Sequence, residues 1–430
     1  MKQCLAVTKR RVLGVLALAL LGLFAFASAD RCGPWPEGEP VLSGVTRGRG
    51  ELQVGAAKVA VQVPPGTTVG GAPPPRAAST GGDAVFARAT VVEVGGQAFA
   101  VVTLDVLLVT QPLVAAIREG LELPVIVTAT HTHSSVGQYD RRLAAQVASL
   151  GAFDPAVEQV LVDAARAALT RARATKAPAR LDARRFSTDA FVRARSGDAV
   201  DTRAIEVTFT RDGAAPVRWL LLAAHPTLTP RRGATFDTDW PGAVSAALEA
   251  DGAVTHVLQT AVGNASTANV STEADVVSVL EGARAKASPL AGCEAPALSL
   301  ATVHLPLPRP DGSRLAPWPA TALADNALCA AAEQEAELTL VHLGCLTLLA
   351  LPLEPTQATA HALERLTGAT HVLALANGYL GYLEPVEVAR AGKGEAKRQW
   401  FGAELFERVA KAALLAAMGA DPGDARVEGR

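Results

Sequence analysis

Leu123-Pro124-Val125-Ile126-Val127 runs straight into Thr128-Ala129-Thr130-His131-Thr132-His133-Ser134-Ser135, and this junction decides how the chain is read. A short apolar run that ends in polar residues is the pattern of a buried strand. The two histidines therefore stand where a strand leaves its sheet. Residues two apart on an extended segment face the same side, so both imidazoles can enter one pocket. Neutral imidazole ligates zinc and shuttles protons, which makes the junction the first place to look for chemistry. Taken alone, the pattern fits a polar strand end with two solvated histidines equally well.

Strand-like and helix-like stretches alternate on both sides of the junction. Residues 54–63, 87–94 and 99–109 read as strands, with a short helix near 112–119. A helix over 155–174 opens at Asp154 as N-cap, and strands 204–209 and 217–223 pair about the turn Arg211-Asp212-Gly213. Residues 242–249 read as a helix capped by Asp239, and 254–260 as a strand. Further on come a helix over 320–337, a strand pair over 338–351 about Gly344, a helix over 356–366, a strand over 372–376 and a last helix over 403–418. The stretches 285–294 and 306–319 carry the weakest pattern. The alternation predicts an α/β fold, a layered mixed sheet with flanking helices. It does not give the strand order.

The start of the chain reads as an export signal. Lys2, Lys9, Arg10 and Arg11 precede the uncharged stretch 12–27, and Ala27-Ser28-Ala29 supplies an A-x-A arrangement. The expectation is a signal peptide over 1–29 and a secreted or periplasmic protein, with an uncleaved N-terminal membrane anchor as the rival. The apolar run is shorter than the ~20 residues a spanning helix needs. Its removal takes away four positive charges and no negative one, so the formal charge moves from −2 to −6. No basic run stands anywhere else, which excludes nucleic acid as a partner. Some ~400 remaining residues exceed a single ordinary core, so one large body or two fused lobes are expected. The division read from the chain is a lead-in over 30–49, a catalytic domain over 50–418 and a polar tail over 419–430. An oxidising compartment permits disulfides. Cys293 and Cys329 flank a loop-rich region and are the expected pair, with Cys345 a buried thiol.

Four other polar segments follow apolar strands: His225-Pro226-Thr227, Gly263-Asn264-Ala265-Ser266, Leu353-Glu354-Pro355 and Asn377-Gly378-Tyr379-Leu380-Gly381-Tyr382. Strand carboxyl ends of an open α/β sheet converge on one crevice. Histidines with a glutamate then make a hydrolytic zinc site with an open position. Each segment also has an ordinary reading: a His-Pro turn, Glu354 as an acid at a helix start, Ser266 in a polar turn with Asn264 and Asn269. Two of only three tyrosines fall within four residues, at 379 and 382.

Together and in this order, the segments resemble the N-terminal catalytic domain of the neutral/alkaline non-lysosomal ceramidases. Residues 54–65 are similar to that family's GxxxxDITPP opening, and 130–137 to its ThTHSGPGG block. His225-Pro226-Thr227-Leu228 resembles HPTS, residues 261–269 resemble NVGDVSPN, and 377–382 resemble NxYxGY. The resemblance covers about residues 50 to 418. It implies zinc held by His131, His225, Glu354 and Tyr382. It also implies that His133, Arg195 and Ser266 position substrate and stabilise the oxyanion, with Ser266 either a nucleophile or a polar group at the carbonyl.

Three departures bear on the pocket. The family's Gly-Pro-Gly-Gly is replaced by Ser135-Val136-Gly137-Gln138, its aspartate before the serine is Asn264, and a later tyrosine has Trp400 or Phe401 nearest. The chain's end just past its last helix also implies that the family's C-terminal immunoglobulin-like domain is not carried. The expected function is a secreted zinc amidohydrolase acting on an N-acyl lipid, ceramide first, with transient contact to a membrane surface. Water attack is favoured over an acyl-serine, since no general base for Ser266 is evident. The alternatives are a hydrolase of smaller amides or esters and a non-catalytic secreted binding protein. The sequence leaves the oligomeric state open.

Overall fold

The apolar run of the junction forms the strand Val125–Ala129, buried along its whole length. It pairs in parallel with Gln97–Leu104, at the edge of a long mixed sheet. The order across that sheet is Val254–Gln259, Val217–Leu222, Arg203–Arg211, Ala177–Ser187, Leu52–Ala60, Phe86–Val94, Gln97–Leu104 and Val125–Ala129. A second sheet runs Val41–Arg49, Ala297–Pro306, Glu335–Leu343, Leu346–Ala350 and His371–Leu373. This computed structural model describes residues 33–421 apart from 37, 79–81, 198, 230–232, 295 and 315–319, together with 14–15, 17–22 and 24–25. The expected signal cleavage site and the end of the tail lie outside the described residues. Among the described residues no helix is long and apolar enough to cross a membrane.

The layers follow from which faces are apolar. Val54, Val92, Val101 and Ile126 of the long sheet pack against Leu298, Leu300, Val341 and Leu348 of the second, a sheet-on-sheet core. The other face of the long sheet is covered by Pro155–Ala174, whose Val157, Leu161, Ala165 and Leu169 lie along one helical stripe. Asp154 caps that helix by accepting from Ala156 N at 2.9 Å. The outer face of the second sheet is covered by Leu405–Ala420 and Gln357–Thr367. The result is helix, sheet, sheet, helix, the layered mixed α/β architecture read from the sequence.

Each sheet is mainly antiparallel, but three strand pairs are parallel: 97–104 with 125–129, 217–222 with 254–259, and 346–350 with 371–373. Parallel neighbours end on the same side, so each of these pairs sends two chain segments out at one end. A bridge between Thr128 and Ala376 ties the two sheets at this point. Bridges from Ser134 to Asp237 and from His225 to Ser266, with the parallel pairing of Glu354–Pro355 and Tyr382–Leu383, bring residues hundreds apart into one site.

Two local readings differ from the structure. The expected helix over 320–337 ends early: the helix is Thr321–Ala331, and Glu335–Leu343 is a strand held between Ala297–Pro306 and Leu346–Ala350. Helix-favouring Ala and Glu residues yield there to cross-strand pairing, because the segment buries Leu338, Leu340 and Val341 in a sheet. The lead-in segment supplies the edge strand Val41–Arg49. The expected Cys293–Cys329 disulfide is also corrected. Cys293 is bonded to Cys345, their Cα atoms 4.6 Å apart, and Cys329 is disulfide-bonded elsewhere. The strand turn about Gly344 carries Cys345 against the 290–293 loop, a contact that chain spacing does not reveal.

His256 sits between the hydroxyls of Thr90 and Thr103, 2.8 Å from each, with no exposed surface. Burial, helped by nearby Arg88, pushes its imidazole down to about 3. The unfolded chain then binds the extra proton first, so folding stability is complete above about pH 6.5 and falls as pH drops from there toward 3. Urea unfolding at pH 7 and pH 4.5 checks this. The expected result is a loss of more than 1 kcal/mol, on the order of 1.4 per pH unit for one such group, and equal stability at both values contradicts it.

Candidate active site

His131 stands two residues beyond the strand Val125–Ala129 with a left-handed backbone, φ 72°. For a non-glycine residue that geometry costs on the order of 1–3 kcal/mol and is kept only where the surroundings fix it. Here its amide donates to Val106 O at 3.0 Å and its Nδ1 donates to Leu107 O at 2.7 Å. His225, three residues beyond Val217–Leu222, is held the same way: Nδ1 donates to Ala265 O at 2.9 Å. A carbonyl can only accept, so in both rings Nδ1 carries a proton, and in the neutral ring Nε2 presents a lone pair.

Both lone pairs face one carboxylate. Glu354 Oε2 lies 3.0 Å from His225 Nε2 and 3.4 Å from His131 Nε2. The Tyr382 hydroxyl is 3.2 Å from His225 Nε2. All four side chains are buried. His131 Nε2 and Glu354 Oε2 nevertheless make no hydrogen bond. Buried polar atoms left in that state are costly, and a group of them facing one point is what a divalent cation satisfies. Two imidazoles, a carboxylate and a phenol form the nitrogen and oxygen donor set that suits such an ion. The residues fit a metal.

Burial, with His131 and Arg195 adding to it, lowers the His225 imidazole to about 4, against the pull of Glu354. Burial alone would raise the Glu354 carboxyl, yet His131 and His225 hold it well below the ordinary range. Burial and then Glu354 push the Tyr382 phenol well above its usual value. At neutral pH the histidine is neutral and the carboxylate charged.

The remaining residues singled out from sequence surround this centre. His133 is half-buried, donates from Nδ1 to Gly71 O at 3.0 Å, and its ligand nitrogen lies within 4.8 Å of those of His131 and His225. Gly71 admits it because a Cβ there would meet the His133 carbonyl at 2.4 Å. Arg195 donates to the Tyr382 hydroxyl at 2.6 Å, to Gly263 O at 2.9 Å and to Glu395 at 3.1 Å. Ser266 lies in the strand Ala265–Thr267, opposite Arg193 and bridged to His225. Asn264 donates to Ser196 O and Ala199 O and accepts from Gln357 N. An aspartate could not make the first two bonds, which accounts locally for the asparagine here.

A cavity of about 470 Å3 opens over the centre. His131, His133, Glu354 and Tyr382 line its floor, and Leu107, Leu108, Ala144, Ala148, Leu328 and Trp400 much of its wall. Arg142, Glu333, Lys397 and Arg398 add charge to that wall. Arg195 and Ser266 are not among the lining residues. Sequence reasoning did not find the stretch 142–149, because its wall role depends on tertiary contact and not on a local motif. It also left Tyr379 without a role. The scarcity of tyrosine was the signal for it, and its hydroxyl donates to Glu354 Oε1 at 2.7 Å.

Residues 68–207 match the profile of the family described as neutral/alkaline non-lysosomal ceramidase, N-terminal. Its likeness is to the neutral ceramidases. The same fold is found in the crystal structure of neutral ceramidase from Pseudomonas aeruginosa, at 18% identity and a TM-score of 0.68 over 86% of this chain and 75% of that one. A ceramidase complexed with C2 matches at 17% identity and a TM-score of 0.69, over 85% of this chain and 75% of that one. No curated protein matches the sequence. The resemblance read from the strand-end motifs is borne out, and the ceramidase fold accounts for the paired mixed sheets.

Proposed function

We propose that this chain is an exported, zinc-dependent, ceramidase-like amidohydrolase that releases a fatty acid and an amine from an N-acyl lipid. The observation that carries the reading is the meeting of His131, His225, Glu354 and Tyr382 beside a largely apolar cavity, with His131 Nε2 and Glu354 Oε2 left without a hydrogen bond. The family profile over 68–207 supports the same reaction class. When bound, zinc supplies a Lewis acid and brings the pKa of a water to about 7.

The chain's own residues divide the rest of the work. Leu107, Leu108, Ala148 and Trp400 hold an acyl chain and exclude bulk water. His133, anchored through Nδ1, is placed to take the proton from the attacking water and return it to the leaving amine. Tyr382 donates toward the developing oxyanion, and Arg195 fixes the phenol from behind. Leu143 and Val147 are 71% and 72% exposed on the segment whose Ala144 and Ala148 line the cavity. Exposed apolar residues beside the opening support transient contact with a lipid surface.

A smaller amide or ester is the second reading, favoured by the charged residues Arg142, Glu333, Lys397 and Arg398 on the wall. Incubation with a fluorescent ceramide, followed by separation of the products, tests the first. Released fatty acid supports it, turnover of short amides or esters alone moves the assignment to the second, and no turnover of any of them leaves a binding protein. Ser266→Ala is expected to keep turnover within about tenfold, 1.4 kcal/mol in barrier, because Ser266 is away from the cavity wall. A covalent acyl-enzyme trapped on wild type and lost in this variant contradicts water attack.

A further inference from the structure

We propose that Tyr379 is the positioning residue of the Glu354 ligand, making that carboxylate bind through one oxygen only. The inference rests on the metal-centre reading above. A carboxylate beside a cation can bind through one oxygen or both, and the difference alters the open positions left for substrate. In this chain the choice is made by a phenol. Tyr379 donates to Oε1 at 2.7 Å, while Oε2 alone approaches both imidazoles, at 3.0 and 3.4 Å. A charged carboxylate only accepts, so the proton in that bond is the tyrosine's.

The phenol is held from several elements. Asn377, left-handed at φ 63°, accepts from Val127 N at 2.9 Å and donates to Glu337 at 2.7 Å, which pins the turn to both sheets. Arg142 donates to the Tyr379 carbonyl at 3.1 Å, and its own geometry is set by Asp140. Trp400 stands edge-on to the ring, centroids 6.3 Å apart. Val127 belongs to the strand that delivers His131, so one framework places both the first histidine and the partner of the glutamate. Support of this kind keeps a site within the tolerance that metal chemistry requires.

The test is zinc affinity by competition with a chromophoric chelator, together with the visible spectrum of the cobalt-substituted protein. Tyr379→Phe is expected to weaken zinc about 10–100-fold and to change the cobalt bands as Glu354 becomes free to use both oxygens. The metal-free variant should still unfold in one cooperative transition, at a melting temperature lowered by the loss of one bond to a buried carboxylate. Trp400→Phe, which keeps an aromatic ring against Tyr379 but touches no bond to Glu354, is expected to leave affinity and spectrum unchanged. Wild-type zinc affinity and cobalt spectrum in Tyr379→Phe overturn the proposal. So does an equal loss in Trp400→Phe, which would assign the effect to packing. Failure of wild type to bind zinc overturns the metal-centre reading and this inference with it, whereas zinc binding with an unaffected Tyr379→Phe overturns this inference alone.

Discussion

His131→Ala and His225→Ala are each expected to lose bound zinc and at least about a thousandfold in kcat/KM. A Lewis acid contributes several kcal/mol to an acyl-transfer barrier, and each 1.4 kcal/mol is tenfold in rate. Each variant removes one of two Nε2 lone pairs that face Glu354 and leaves the carboxylate buried against a single imidazole. The two histidines come from different strands of the long sheet, at its two sides, so a shared local defect does not explain a shared loss. His131→Ala also loses folding stability, because alanine tolerates φ 72° no better and loses the bond to Leu107 O. Metal analysis beside kinetics separates these contributions. Either variant retaining zinc and full activity removes the centre from the mechanism.

Arg88→Met is expected to cost about 3–5 kcal/mol in folding stability. Arg88 is 3% exposed and grips both oxygens of Asp105, at 2.9 and 2.8 Å, while its Nε donates to Glu249 at 3.2 Å. Removing the guanidinium strands a carboxylate that is 1% exposed, and a buried uncompensated charge is far costlier than the pair is stabilising. The effect reaches the site. Asp105 is followed by Val106 and Leu107, whose carbonyls hold His131. Ser135 also donates to Asp105 O at 2.6 Å, tying in the segment that replaces the family's glycine-rich block. Urea unfolding with and without zinc measures both consequences. A loss below about 1 kcal/mol, the range of a solvent-exposed ion pair, contradicts the account.

The strand-end placement of His131, His225, Glu354 and Tyr382 was legible because each lies past a short apolar run, the mark of a strand buried on both faces. Their meeting at one point was legible only through the order of the motifs. The strand pairings and bridges that cause it, Glu354 beside Tyr382 among them, are tertiary, and strand order is not written locally. The same limit explains Cys293–Cys345, where the partner is brought by the turn at Gly344, and 332–337, where sheet pairing overrode helical preference. Arg195 shows the limit at the level of a single role. The family resemblance marks it for the site, but only the fold reveals that its guanidinium is committed to Tyr382, Gly263 and Glu395. The wall from 142 to 149 has no motif, since alanines acquire their function from what they face.

The most direct measurement is zinc per chain in the purified protein, with N-acyl hydrolysis followed before chelation, after it and after zinc is restored. About one zinc per chain is expected, with fatty-acid release that stops on chelation and recovers with added zinc, but not in His225→Ala. Hydrolysis that continues at full rate in zinc-free protein contradicts it.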